Sequence, residues 1–404
     1  MEVRVLPGAK MKANLFFIFC LFLIIFLIIF QQNQKEANEK IFKVLTYPSF
    51  FKNFYLTKII SENKKIYFLY LNNDYSLVPG DKIFIDDFVL KENKIFFPKK
   101  LEIISKNKII EKVSFFKKFA KENIQKTLPW PEENILRGII FGENLEDPEL
   151  NFYFNKLGIS HILVASGSNL VILTNIIFNS LKNFPLINLI FLNLIILFFL
   201  IFYLFLVGFE GSILRAFIFC LFLLIIKNFS GRIPLKRNIL IFSLFLLVLI
   251  SPEYLYDLGT ILSFLSFTGL IYFSPIISQK LNLKNKILKE TIVSTFSSFI
   301  FTFPIISYYF GNLNFYSLFF NIFILPLIPL IFFLGIIFSS FPILILILFP
   351  LLFYLNQLSL LAKYLPTINL NLPLIFVIFY YLILIFLIYK LNRNENIDFN
   401  FSFS

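Results

Sequence analysis

Residues 185–207 read PLINLIFLNLIILFFLIFYLFLV and contain no charged side chain. Because a helix of about 20 apolar residues crosses the hydrocarbon core of a bilayer, this run predicts a transmembrane helix. The rest of the chain has a similar character, since 58% of its 404 residues are hydrophobic and only 15% are charged. That composition excludes an ordinary soluble domain and is typical of a polytopic membrane protein.

Comparable apolar segments recur along the chain. Residues 14–30 follow a charged start and lack a small-residue cleavage site after them, which predicts an uncleaved first spanning helix within residues 1–30. The other segments lie at 157–179, 185–207, 212–227, 238–250, 259–275, 291–310, 314–334, 342–361 and 373–390. We therefore expect a polytopic α-helical membrane protein with about ten transmembrane helices.

Lysines and arginines between these segments predict the orientation. They cluster at 227–237, at 280–289 and after the last segment. If the N-terminus is in the cytoplasm, the ten-helix arrangement places these clusters there too, as the positive-inside rule requires. We expect a multi-pass protein of the cytoplasmic (inner) membrane, with the C-terminal tail (392–404) also inside.

Residues 31–128 have a different composition, with 19 Lys and 11 Asp or Glu, so that 19 − 11 gives a net charge of +8. Alternating stretches at 64–71 and 82–86 predict β-strands, and Val78-Pro-Gly-Asp81 predicts a turn between them. We therefore expect a small extracytoplasmic β domain over 34–128. The sequence leaves open whether its lysines bind nucleic acid or form a solvated surface.

One apolar segment is interrupted by the polar stretch Gly158-Ile-Ser-His-Ile-Leu-Val-Ala-Ser-Gly-Ser-Asn169, which contains the only histidine of the chain, His161. Polar groups at membrane depth are costly unless they face protein or water, so the stretch indicates a functional site. Two structural alternatives remain open. His161 could simply bond a neighbouring helix, and the small residues could provide close helix packing.

GISHILVASGSN resembles the G-x-x-H-x-L-x-x-S-G-x-[HN] signature of the ComEC family, the channel that takes single-stranded DNA across the inner membrane of competent bacteria. Four further segments resemble the family in the same order. They are Leu128–Gly142, Gly208–Ala216, Leu258–Ser266 and the stretch from Phe310 to Pro326.

The resemblance implies a permease, not an enzyme, with an OB-like fold for the β domain and a multi-helix competence domain over 129–391. It implies single-stranded DNA as the substrate, a DNA receptor outside, and a helicase or strand-binding protein inside. From the residues themselves, we expect the DNA path to use His161, Ser166, Gly167, Ser168, Asn169, Arg215, Ser263 and Asn321. Ser263 and Asn321 could instead serve helix packing, so this alternative stays open. We expect structural or partner roles for Glu210, Gly138, Gly142 and Gly259.

The chain also departs from the family pattern. Ser168-Asn169 stands where Leu-His is common, and Ile261 stands where Gln is frequent. Larger members carry a C-terminal metallo-β-lactamase-like domain, a proposed nuclease; we expect this chain to be a short form without it, so that strand degradation requires a separate nuclease. With one histidine and two distant cysteines, the sequence predicts no metal site, and it shows no phosphate-binding loop; we expect no cofactor.

Proteins of other classes would show features that this sequence lacks. A membrane-embedded enzyme, or a handler of another solute such as a lipid-linked sugar, would need carboxylates or metal ligands within the membrane, and the segments after 157 contain almost none. A small-solute transporter should show internal repeats, which are not evident. Arg215 could also be structural, snorkelling to the interface with Glu210 as its partner. The sequence leaves a homo-oligomer open.

Overall fold

The computed structural model describes residues 40–51, 54–73, 75–86, 88–91, 94–159, 167–182, 188–230, 236–311, 315–366 and 370–394. The predicted first helix and the end of the tail lie outside the described residues. The described part of the chain forms two compact units. The first unit comprises the described residues of 40–48, 54–107 and 208–260, and the second comprises those of 49–53, 108–207 and 261–394.

The β-strands come first in the described part of the chain. They are β1 (Ile41–Val44), β2 (Ser49–Phe51), β3 (Phe54–Ser61), β4 (Ile66–Leu71), β5 (Lys82–Asp86), β6 (Val89–Lys91), β7 (Lys94–Phe96) and β8 (Lys100–Ser105). Seven of them follow the order β6-β7-β4-β3-β1-β5-β8 and form a half-barrel. Neighbours in this order are antiparallel except β4 and β7, which are parallel.

One face of this half-barrel forms a hydrophobic core in the first unit. Alternate residues of the strands point into it, among them Ile59, Leu69, Leu71, Ile83 and Ile95, which are fully buried. The alternation is the period of two that the sequence shows at 64–71 and 82–86. The predicted β character of this region is therefore confirmed.

The predicted turn at Val78–Asp81 is also confirmed. The backbone N–H of Asp81 donates to the carbonyl of Val78 at 3.1 Å, and Gly80 has a φ of +93°. A type II turn requires a positive φ at its third position, which glycine adopts without steric cost. The buried Asp81 carboxylate accepts hydrogen bonds from the backbone N–H groups of Val78 and Asn107, which holds the turn in place.

The end of the expected β domain differs from the prediction, because the strands stop at Ser105 and the helix α1 (Lys108–Thr127) follows. Its buried residues Ile110, Lys117, Ala120 and Ile124 recur with a helical period. The helix contains six Lys and two Glu, so 6 − 2 gives +4. Half of the basic excess of residues 31–128 therefore belongs to a helix and not to the sheet.

Helices make up the remainder. They are α2 (Glu132–Phe141), α3 (Pro148–Lys156), α4 (Gly167–Leu181), α5 (Leu189–Val207), α6 (Gly211–Ser230), α7 (Lys236–Ile250), α8 (Leu258–Tyr272), α9 (Ser274–Lys280), α10 (Lys286–Phe310), α11 (Tyr316–Ile324), α12 (Ile328–Phe338), α13 (Pro342–Ile345), α14 (Phe349–Leu360) and α15 (Leu374–Asn394). Short 3₁₀ turns lie at Pro252–Leu255, Leu346–Leu348 and Leu361–Tyr364.

Among the described residues, three continuous helical segments are long and apolar enough to cross a membrane: Leu189–Val207, Lys286–Phe310 and Pro342–Tyr364. Two bent pairs would raise the number to five, α8 with α9 at 44° and α11 with α12 at 50°. Four further apolar helices have only 10–17 residues. Each predicted segment after 157 falls on one of these helices, but length and composition support three to five spans where about ten were predicted.

Candidate functional site

The polar stretch around His161 is only partly described. His161 and Ser166 lie outside the described residues, and of Ser168 only the helical backbone is described. Helix α4 begins at Gly167, and Asn169, two residues later, is fully buried. The Asn169 side chain donates from Nδ2 to the carbonyl oxygen of Ile139 and to the hydroxyl of Tyr203, both at 3.3 Å. Asn169 therefore connects α4 to α2 and to α5.

Two of the three glycines predicted to have structural or partner roles, Gly138 and Gly142, lie at the end of α2. Gly142 has a φ of +69° and terminates the helix, and its N–H donates to the carbonyl of Gly138 at 2.9 Å. Since L-residues rarely adopt this left-handed conformation, glycine is the favoured residue at this C-cap. The turn directs the chain into the loop that carries Glu143 and Glu146.

A buried charge cluster that the sequence analysis did not single out surrounds Arg137 of α2. Only 1% of the Arg137 side chain is exposed. Its Nε lies 2.9 Å from an oxygen of Glu133, and its Nη2 lies 2.8 Å from Glu146. Glu143 lies 3.4 Å from Nη1. The available sequence signal was the Glu133–Arg137 spacing of four, which places the two side chains on one helix face.

Two lysines of α1 complete this cluster. Lys121 lies 3.0 Å from Glu143 and Lys117 lies 4.0 Å from it. Burial lowers the pKa of Lys117 to about 8, although the Glu143 carboxylate opposes that shift. Burial alone would raise the pKa of Glu143, but Lys117, Lys121 and Arg137 together hold it below its ordinary value. Three cations thus face three carboxylates.

The equal number of cations and carboxylates in this cluster decides whether its glutamates could bind a metal ion. Among the described residues, no group of three His, Cys, Asp or Glu side chains is placed to hold a metal ion. The three glutamates around Arg137 are already neutralised by cations, so the cluster acts as an internal ionic connection between α1, α2 and the loop that follows it.

A second charge cluster lies in the first unit. Lys58 of β3 places its Nζ 3.2 Å from Asp257 and 4.0 Å from Glu210. Burial would lower the pKa of Lys58, but Glu210 and Asp257 outweigh it and raise the pKa. Asp257 also accepts hydrogen bonds from the N–H and the hydroxyl of Thr260, both at 2.9 Å, and so caps α8. Glu210, considered from the sequence as a partner of Arg215, is a neighbour of Lys58.

Backbone contacts join the same parts of the first unit. Thr46 and Gly208 form an isolated antiparallel bridge, and the N–H of Phe209 donates to the carbonyl of Leu45 at 2.8 Å. The segment that leads into α6 therefore continues the hydrogen bonding of the sheet. The half-barrel and the 208–260 segment form one structural unit, although the sequence analysis assigned them to different domains.

The remaining residues that were predicted to lie on the DNA path or to have structural roles are divided between the two units. Arg215 is buried in α6 of the first unit, where Gly259 also lies at the start of α8. Ser263 and Asn321 belong to the second unit. Asn321 of α11 is buried, and its side-chain oxygen has no hydrogen-bond partner among the described residues. Buried polar atoms usually have hydrogen-bond partners, so this oxygen is an unusual feature of α11.

Comparison with known proteins identifies the family. A family model described as Competence protein matches residues 139–394. No curated protein and no solved structure matches the chain. The matched region runs from α2 to the end of α15 and is more than half of the chain. The chain therefore belongs to the ComEC family of competence proteins.

Proposed function

We propose that this protein carries single-stranded DNA across the cytoplasmic membrane during natural transformation. The observation that carries the proposal is the family match over 139–394, because competence proteins act in DNA uptake. The apolar helices of that region support a membrane location. In this proposal the protein is a permease, and both termini lie in the cytoplasm.

The proposed DNA path uses residues of the competence region. His161, Ser166, Gly167, Ser168 and Asn169 would contribute polar groups, Ser263 and Asn321 would continue them, and Arg215 would contact a phosphate. The buried Asn321 oxygen supports this, since a polar atom without a partner suits a wet or ligand-lined position. Arg215 supports it as well, because guanidinium binds phosphate in a bidentate geometry.

The half-barrel offers a surface that suits the incoming strand. Phe54, Tyr70, Phe96 and Phe97 form an aromatic patch in which the Tyr70 and Phe96 rings stack with centroids 4.6 Å apart. The ring centroids of Phe54 lie 5.1 Å from Tyr70 and 6.2 Å from Phe97, and 41% of Phe97 is exposed. Exposed Lys94 precedes the patch on β7.

Aromatic rings next to lysines are the usual surface for single strands, because bases stack on the rings while ammonium groups pair with phosphates. We therefore propose that the β half-barrel, with the OB-like character expected from the family, contacts DNA through the aromatic patch. A DNA receptor would deliver the strand from outside. A helicase or strand-binding protein would receive it inside, and a separate nuclease would degrade the other strand.

The aromatic patch gives a test with a matched control. Tyr70→Leu combined with Phe97→Leu should lower the single-strand affinity of the purified full-length protein by at least about thirtyfold, since each stacked base contributes about 1–3 kcal/mol. Tyr75→Leu removes an exposed aromatic ring elsewhere in the same domain and should leave the affinity unchanged. Transformation frequency should follow the affinity. Unchanged binding and transformation in the double variant would exclude the patch as a DNA contact.

A further inference from the structure

Helix α1 presents an exposed face on which two lysines near its start are followed by two phenylalanines. Phe115 is 74% exposed and Phe119 is 46% exposed. Lys112 and Lys108 are exposed one and two turns before Phe115, respectively. These four residues recur at intervals of three and four, so they share one side of the helix. With its six lysines, α1 is not among the helices that could cross a membrane.

The orientation of α1 is fixed by contacts on its other faces. Lys117 and Lys121 point inward to Glu143. Phe116, next to the exposed Phe115, packs edge-to-face against Phe202 of the apolar helix α5 with ring centroids 5.6 Å apart. These contacts lie within the second unit, so the exposed face does not result from a loosely attached helix.

The contact with α5 indicates the depth at which α1 lies. Phe202 is five residues before the end of α5 at Val207, which corresponds to about 7.5 Å along the helix axis. Amphipathic helices at a membrane surface bury their apolar face about 5–10 Å into the boundary between headgroups and acyl chains. Helix α1 therefore meets α5 at the level where an interfacial helix would lie.

The surface next to this contact is apolar. Phe202 stacks on Phe198 of α5 with ring centroids 6.4 Å apart, and Phe198 is itself exposed. Phe116, Phe202 and Phe198 thus form a continuous row of rings that leads from α1 to the outer face of an apolar helix. A lipid surface accommodates such a row, because the exposed rings enter the acyl boundary and the lysine side chains extend to the headgroups.

We propose that α1 is an interfacial membrane helix that binds anionic phospholipid through its exposed face. Phe115 and Phe119 enter the acyl boundary, and Lys108, Lys112 and the exposed Lys118, which neighbours Phe119, contact headgroup phosphates. Trp130, the only tryptophan of the chain, is 59% exposed shortly after the helix and suits the same interface. This assignment does not depend on the proposed DNA transport.

The depth of the face can be measured by fluorescence in the full-length protein. Phe115→Trp in a Trp130→Phe background places one tryptophan on the exposed face, and Tyr75→Trp in the same background is the matched control on the half-barrel. Both proteins are reconstituted in vesicles of phosphatidylcholine and phosphatidylglycerol containing lipids brominated either near the glycerol end or near the tail end of the acyl chains.

The tryptophan at 115 should be quenched more strongly by bromine near the glycerol end than by bromine near the tail end, and the tryptophan at 75 by neither. Phe119→Trp in the same background is a second probe if the first variant does not fold. Absence of quenching at both 115 and 119 would overturn the proposal. Loss of lipid quenching on addition of single-stranded DNA would also overturn it and would assign the face to DNA.

The lysines have a separate test. Replacement of Lys108, Lys112 and Lys118 by Gln should reduce the share of phosphatidylglycerol that co-purifies with the protein. Replacement of Lys82, Lys94 and Lys100, three exposed lysines of the half-barrel, is the charge-matched control and should not reduce it. An equal reduction in both proteins, or none in the first, would contradict specific headgroup binding by α1.

Discussion

The guanidinium of Arg137 lies 2.9 Å from the carboxylate of Glu133, one helical turn away in α2, and both side chains are buried. Glu143 and Glu146 approach the same guanidinium from the loop after the helix. A single buried cation therefore ties this loop to α2.

Replacing Arg137 with Met should destabilise the protein by about 3 kcal/mol, because a broken buried ion pair leaves carboxylates without a compensating charge. Adding Glu133→Gln should recover part of that loss. Lys121→Met is the control, since its ion pair with Glu143 is more exposed and should contribute about 1 kcal/mol or less. Thermal unfolding of the detergent-solubilised protein measures these differences. Equal effects of the Arg137 and Lys121 variants would contradict the central role of Arg137.

Lys117 predicts a pH dependence. Its pKa is lowered from 10.5 to about 8 in the folded protein, so the unfolded chain binds the proton first as pH falls. As pH falls from 10.5 to 8, Lys117 therefore lowers the free energy of unfolding progressively. Below pH 8 its destabilising effect is constant. Lys117→Met should flatten the stability profile between these values. A profile identical to that of the unmodified protein would show that Lys117 keeps its ordinary pKa.

The Lys58–Asp257 contact should be measurable by a double-mutant cycle. Lys58→Met leaves the carboxylates of Asp257 and Glu210 without the cation they share and should lower stability, whereas Lys58→Met with Asp257→Asn should lower it less. A coupling energy of about 1 kcal/mol is expected for a partly buried pair. The same cycle with Lys40 and Asp86, an exposed pair, is the control and should give less coupling. Additive effects at Lys58 and Asp257 would contradict an energetic connection between β3 and the start of α8.

Asn169 tests whether the polar stretch serves structure or transport. Asn169→Leu leaves the Ile139 carbonyl without this donor and should cost about 1–3 kcal/mol. Tyr203→Phe removes only the second hydrogen bond and should cost less. If Asn169 also lines the DNA path, its Leu variant and Gly167→Leu should lose DNA transfer per molecule in the membrane. If DNA transfer falls only in proportion to the amount of the variant in the membrane, Asn169 serves only to connect the helices.

The composition of the chain correctly predicted a membrane protein, because burial in lipid requires long apolar segments, and these are evident in the sequence. The bends at Phe273 and between α11 and α12 were not predictable in this way, since hydropathy records which residues prefer lipid and not the direction of the helix axis. Helix α1 was missed for a related reason. Its lysines gave the segment the character of a solvated surface and obscured the helical period of Ile110, Ala120 and Ile124.

The charge clusters could not be predicted because their members are distant in sequence or were each explained locally. Lys58 and Asp257 are separated by almost 200 residues, and only the folded chain brings them to 3.2 Å. The Arg137 cluster combines three segments that individually resemble exposed helix and loop. The family motifs, by contrast, were visible because their glycines and polar residues stand out in an apolar background.

The central claim is tested most directly by the fate of labelled donor DNA in competent cells that lack the protein. The account predicts that DNA still binds to the cell surface but that no labelled single strand becomes protected from external nuclease in the cytoplasm, and that expression of the protein restores it. Protected single strands at the normal level in cells without the protein would contradict the account.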